Sequence, residues 1–351
     1  MSQPATEWRF IRAFADHFAR CGLHEGEKVA ILSESQSRPS LVATARLAAQ
    51  SLGGRVFDIV VPTPPSAHAV PIRSTGASRA IAHHDAVVAA LVASDLVIDC
   101  TVEGLLHSPE LSRILGGAAR VLMISNEHPE VLERLPWDAD LPRRVALGHQ
   151  WLREAGVMRA TSAHGTDLTV RLAGSFTAGS TGLTDGPGPI AHWPGGLVLA
   201  FPAAHAVNGT IVLASGDMNL TFNRLVETPV VLHIVDDHIE TIEGDGVDAI
   251  LFRSYLSAFD DRESYATSHV GWGMNQHARW DSAQLYDKRE TWGTEARAYA
   301  GNFLYSTGAN ENAGRFTAGH FDLPMRNCTV TLDDRPVVTG GVLAPELAPI
   351  R

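Results

Sequence analysis

The chain has 351 residues, 45% of them hydrophobic, with 28 Lys plus Arg against 39 Asp plus Glu, a formal net charge of −11. That apolar fraction supports a large core and excludes a disordered chain, and the acidic balance excludes the basic face that nucleic acid or an anionic membrane requires. Cys21, Cys100 and Cys328 are too few and too scattered for a disulfide framework or a CxxC zinc motif, and no stretch has a signal-peptide pattern or the ~20 apolar residues of a membrane span, so a reducing cytoplasm is the expected setting.

In chain order, Trp8, Ile11, Phe14 and Phe18 fall at helical spacing and predict an opening amphipathic helix. Lys28–Leu32 reads as a strand, and Leu41–Leu52 as a helix stopped by Gly53-Gly54. Val56–Val61 reads as a strand, and Ser78–Leu91 as a helix with Ser78 as N-cap. Leu96–Thr101 and Ala119–Ser125 are buried strands; Cys100, in the first of them, is expected to be a small buried hydrophobe. Helices are expected around Glu130–Leu135 and Pro142–Ala155. Short apolar runs alternating with helices imply a parallel sheet covered on both faces.

From Val157 the pattern changes. Leu168–Leu172, Gly196–Phe201, Thr210–Ser215 and Val230–Val235 are strand candidates, with Asn208-Gly209 as a hairpin turn and a second hairpin around Asp236-Asp237. Helices are expected at Val247–Ala258 and Glu295–Ala300, and a last hairpin within Cys328–Leu343, turning at Asp333-Asp334. The expected architecture is therefore an α/β lobe with a parallel sheet, residues 1–156, followed by a β-rich α+β lobe, residues 157–351. The chain has no internal repeat and no low-complexity tract.

Sixteen histidines make a lone one uninformative, so groupings matter. In His320-Phe321-Asp322 an extended backbone puts the two polar side chains on one face and Phe321 on the other. Such a pair needs one more ligand to form a two-His-one-carboxylate metal site. His269, in Ser268-His269-Val270-Gly271-Trp272-Gly273, is the best candidate, because the glycines around Trp272 suggest a tightly packed turn. By spacing alone the motif is weak.

In His107-Ser108-Pro109-Glu110, Ser108 suits an N-cap and Pro109 a first helical position. His107 then lies past the carboxyl end of a parallel strand, where open α/β sheets bind ligands, although the sequence alone slightly favours a plain linker histidine beside a helix cap. The Gly/Pro-rich segment 186–196 carries His192 and Trp193; Trp193 could face a planar substrate or simply pack. Residues 301–310 mix apolar side chains with Ser306 and Thr307, which either bind polar substituents or close a turn. GxGxxG, P-loop, GxSxG and HExxH patterns are all missing from the sequence.

Taken in order, five segments resemble the 2,5-dihydroxypyridine 5,6-dioxygenase family, whose fold is similar to that of M29-type leucyl aminopeptidases. They are Leu105–Glu110, His192-Trp193-Pro194, Ser268–Gly273, Gly301–Gly308, and His320-x-Asp322-x-Pro324 with Leu332-Asp333-Asp334. They run through most of the chain. The resemblance implies a single Fe(II) held by His269, His320 and Asp322, with His107 and His192 as acid/base groups. It also implies a pyridine-type aromatic N-heterocycle and O2 as substrates, with ring opening to N-formylmaleamate, and Trp193, Ser306 and Thr307 as substrate contacts in a homo-oligomer. Gly179–Asp185 lacks the Glu and Tyr expected in the family, which leaves the ring substituents open. The extra glutamates of the two-metal M29 peptidases have no placeable counterparts, which favours one metal and an oxygenase over a hydrolase, and the intact His107, His192 and three ligands argue against a non-catalytic binding protein.

Overall fold

A computed structural model describes residues 6–68, 78–184, 190–288 and 290–349. The first lobe alternates as expected: α1 (Trp8–Arg20), β1 (Lys28–Glu34), α2 (Pro39–Ser51), β2 (Arg55–Val61), α3 (Asp85–Val92), β3 (Leu96–Asp99), α4 (Leu111–Gly116), β4 (Arg120–Met123), α5 (Pro129–Glu133) and α6 (Leu141–Glu154). The strands run parallel in the order β2-β1-β3-β4. Their apolar runs serve both faces. Val29, Ile31, Leu96 and Ile98 pack with Phe14, Phe18, Leu41 and Cys100, whereas Ala30, Leu32 and Val97 pack with Val88, Leu91 and Ile114. Alternate side chains of a strand must point to opposite faces, so a central parallel strand reads as uniformly apolar.

Two helix starts differ from expectation. The helix expected from Ser78 begins at Asp85, because His83 has φ 62°, a left-handed value that breaks helical continuity. The helix after His107 begins at Leu111; the Ser108 hydroxyl donates to Glu110 Oε2 at 2.7 Å instead of capping a helix.

The second lobe contains β5 (Val157–Thr161), β6 (Asp167–Arg171), β7 (Phe176–Ser180), β8 (Ile190–His192), β9 (Leu197–Phe201), β10 (Val207–Leu213), β11 (Met218–Asn219), β12 (Arg224–Leu225), β13 (Val230–Val235) and β14 (His238–Glu243). There follow α7 (Val247–Ser257), β15 (Thr267–Gly273), α8 (Glu295–Ala298), β16 (Phe303–Thr307), β17 (Phe321–Met325), β18 (Thr329–Leu332), β19 (Arg335–Thr339) and β20 (Val342–Leu343). An antiparallel sheet ordered β14-β13-β10-β6-β5-β18-β19-β20 and another ordered β17-β16-β15-β9-β7 share one core, with Val170, Ile211 and Leu232 on one side and Trp272, Phe303 and Leu323 on the other. The hairpin at Asp236-Asp237 forms as expected, both residues having positive φ. Asn208-Gly209 is not a turn; it lies inside β10, where a Cβ on Gly209 would stand 2.2 Å from the Asp167 carbonyl oxygen. Glycine is there for close strand approach.

The expected division at 156/157 is crossed. β8 leaves the second lobe and adds a fifth parallel strand to the first sheet, with His192 opposite Met123. In the other direction, Val145 and Leu152 of α6 pack in the core of the second lobe. Gly186–Pro189, part of the segment singled out around His192, lie outside the described residues. Among the described residues, no helix is long and apolar enough to cross a membrane.

One buried histidine on α1 gives the fold a pH signature. The ring of His17 stacks on Trp193 at 4.0 Å, its Nε2 lies 2.9 Å from the Gly182 carbonyl oxygen, and burial pushes its pKa down to about 3. Unfolded histidine binds a proton near ~6.5, so between these values the unfolded state holds the extra proton and stability falls as pH falls. In urea unfolding, the wild type is expected to lose about 2 kcal/mol more than His17→Gln between pH 7 and pH 5. Equal losses in the two proteins would refute the assignment.

Candidate metal centre and active site

The second-lobe strands β15, β16 and β17 build one wall. Thr267 pairs with Thr307 and Val270 with Tyr305, so Ser268 and His269 together face the single residue Ser306. This bulge sits where it re-aims His269 into the site. Next door, Asp322 pairs with Ser306. Phe321 points to the opposite face, stacked on Phe252 at 4.4 Å and against Tyr255 at 4.5 Å. The His320 carbonyl accepts from Thr221 Oγ1 at 3.0 Å and from the Tyr255 hydroxyl at 3.1 Å, which fixes the backbone before β17.

The expected donors meet. Asp322 Oδ1 lies 3.2 Å from His320 Nε2 and 3.5 Å from His269 Nε2, and all three residues are buried. Ser306 Oγ donates to the same oxygen, and Arg297 Nε donates to Oδ2 at 2.5 Å. Burial opposes ionisation of Asp322, but the Arg297 guanidinium and the two imidazoles hold its carboxyl well below the usual range. Burial lowers the pKa of His269 to about 4, so the ring is neutral near pH 7. The Ser268 hydroxyl donates to the Ala309 carbonyl at 2.5 Å and lies 3.0 Å from His269 Nδ1. Since that hydroxyl's proton is used, it accepts from Nδ1–H in the neutral ring, which leaves the Nε2 lone pair available to a metal ion.

Among the described residues, no three His, Cys, Asp or Glu side chains form a ready-made metal-binding group; here the imidazoles close on the carboxylate itself. The donor chemistry nevertheless fits a divalent metal. Two imidazole nitrogens and an ionised carboxylate on one wall are the two-His-one-carboxylate set. His320 Nδ1 is in addition buried without a hydrogen-bond partner, an expense that a hydrophobic replacement would avoid.

The first lobe supplies the facing groups. The His107 ring centroid lies 5.7 Å from that of His320 and 6.3 Å from that of His269, and His107 Nδ1 faces Glu311 Oε1 at 3.4 Å. His192, at the end of β8, is close enough to Arg297 and Asp322 to feel both charges; burial first and Arg297 second push its pKa down to about 4. Phe201 covers His269 at 5.1 Å. A cleft of about 950 Å³ reaches His107 from the surface between Pro62–His68 and Phe316–Ala318.

Of the three expected substrate contacts, only Ser306 lies on the Asp322 wall. The hydroxyl of Thr307 accepts from the Phe321 backbone at 3.1 Å, and Trp193 is buried between His17 and Phe14, so both are occupied with packing and backbone support. Arg297 and Glu311 are the site residues that sequence reasoning missed.

The sequence profile described as 2,5-dihydroxypyridine 5,6-dioxygenase matches residues 9–345. The 2,5-dihydroxypyridine 5,6-dioxygenase of Pseudomonas putida is 37% identical over 348 residues, 98% of each chain. The chain belongs to the 2,5-dihydroxypyridine 5,6-dioxygenase family. A solved structure of 2,5-dihydroxypyridine dioxygenase from Pseudomonas putida KT2440 superposes with a TM-score of 0.92 at 34% identity, covering 99% of this chain and 100% of that one. AmpT from Thermus thermophilus superposes with a TM-score of 0.62 at 13% identity over 96% and 99% of the two chains, which shows the shared aminopeptidase-like fold.

Proposed function

We propose that this dioxygenase opens the ring of 2,5-dihydroxypyridine with O2, using Fe(II) held by His269, His320 and Asp322. The observation that carries the reading is the closure of two imidazoles on one ionised carboxylate, with His107 facing the imidazoles and His192 near enough to feel the Asp322 charge. It is supported by the family's substrate, named for the relative that aligns along the whole chain. Ferrous iron, when bound, supplies the redox chemistry that lets an aromatic ring react with O2, and three protein donors leave positions for substrate and O2.

The protein's own groups handle protons and placement. His192, neutral near pH 7, accepts or returns the ring hydroxyl proton, and His107, backed by Glu311, serves at the facing position. Arg297 and Ser306 fix the carboxylate, and Phe201 covers the His269 side against water.

A metal-exchange experiment tests this reading against a hydrolytic one. After chelation, Fe(II) added without air is expected to restore oxygen uptake with 2,5-dihydroxypyridine, and Zn(II) is not, because zinc has no accessible redox chemistry. Full turnover with Zn(II), or ring opening without oxygen consumption, would overturn the proposal.

A further inference from the structure

Residues Thr291–Gly293 are buried yet belong to no helix or strand, and Thr294 is the buried residue before α8. The polar groups of such a segment need partners from elsewhere. Glu127, fully buried just beyond β4, provides them: Oε1 accepts from Thr291 Oγ1 and Trp292 N, both at 2.9 Å, and Oε2 accepts from Thr294 N at 3.2 Å and Thr294 Oγ1 at 3.1 Å. From the other side, Asn223 Nδ2 donates to the Thr291 carbonyl at 2.9 Å, and a Cβ on Gly293 would stand 2.7 Å from Asn223 Oδ1. Arg134 grips the next residue, Glu295, at 2.7 Å. Less than one helical turn further on, Arg297 reaches Asp322.

We propose that Glu127 is a positioning residue: through this turn the first lobe sets Arg297 against Asp322, and so sets which carboxylate oxygen faces His269 and His320. The inference rests on the metal-centre reading above. Arg297 occupies Oδ2, which leaves Oδ1 turned to the imidazoles. A turn released from Glu127 shifts α8, and Ser306 alone then holds the carboxylate toward the imidazoles. A carboxylate is required at 127 because donors converge on both of its oxygens; the amide of a glutamine would set N–H groups against N–H and O–H groups.

Glu127→Gln tests this. Hydrogen exchange at residues 291–298 is expected to speed up, and anaerobic titration of the chelated protein is expected to show Fe(II) affinity about 10-fold weaker, the lower end for outer partners of a metal ligand. Excess Fe(II) should restore turnover, which a purely structural lesion would not allow. Thr294→Val removes one donor and should move both readouts the same way by less, whereas Thr294→Ser should match the wild type; this pair carries the test if Glu127→Gln does not fold. Wild-type Fe(II) affinity in Glu127→Gln, or unchanged exchange at 291–298, would overturn the inference alone. A wild-type protein that takes up no Fe(II) would instead sink the metal reading, and with it the link drawn here.

Discussion

His320→Ala is expected to consume no oxygen above background and to lose ferrous iron on gel filtration, while its unfolding transition remains cooperative. Removing an outer partner of a metal ligand costs ~10–100-fold in affinity, and removing a ligand costs more. The fold should survive, because what anchors this segment is the His320 carbonyl, held by Thr221 and Tyr255, and the Phe321 ring in the core, none of which depends on the imidazole. His269→Ala should behave alike. Asp322→Ala should be harsher, since it also leaves the Arg297 guanidinium partly buried without its carboxylate, a loss of about 3–5 kcal/mol for a broken buried pair. Asp322→Asn, which keeps the volume, is the cleaner variant. Full iron occupancy in purified His320→Ala would remove His320 from the ligand set.

His107→Ala and His192→Ala should separate from the ligand variants by retaining iron while losing roughly 10²–10⁴-fold in kcat, the usual contribution of a general acid or base. Neither ring is one of the two imidazoles that close on Asp322 Oδ1. Anaerobic titration with 2,5-dihydroxypyridine divides binding from chemistry. The variant that binds substrate normally but turns over only at raised pH identifies the base, since an already ionised substrate no longer needs one. For His192 the low pKa, about 4, means that the wild-type ring is unprotonated across the neutral range. Unchanged kcat in both variants would leave the proton steps without a protein group.

What could be read from the sequence follows from what is local. His320-x-Asp322 was legible because a strand's period of two puts alternate residues on one face whatever the partner strand does. His269 stood out only through the glycines around nearby Trp272, and the bulge that aims it was invisible, because a bulge is defined by two strands in register. Arg297 and Glu311 carry no pattern: each is a charged residue in a short element, brought to the site by tertiary packing. Trp193 was read beside His192 as a possible substrate contact; the alternation of an extended chain sends neighbouring side chains to opposite faces, and here that sends Trp193 toward α1. Asn208-Gly209 has the composition of a turn, yet its glycine answers to a neighbouring backbone that the sequence cannot display.

The short strand β8 has a consequence for how such a site can be inherited. It lies past residue 157 in the chain but is hydrogen-bonded into the parallel sheet, and it ends on His192. A cut at 156/157 therefore does not separate the parallel sheet whole from the antiparallel sheets. A fragment ending at 156 would expose the flank of β4 and lack His192, and the remainder would carry His192 with no sheet to hold it. A lobe exchanged between relatives at that boundary would arrive without β8 or without the sheet that β8 completes.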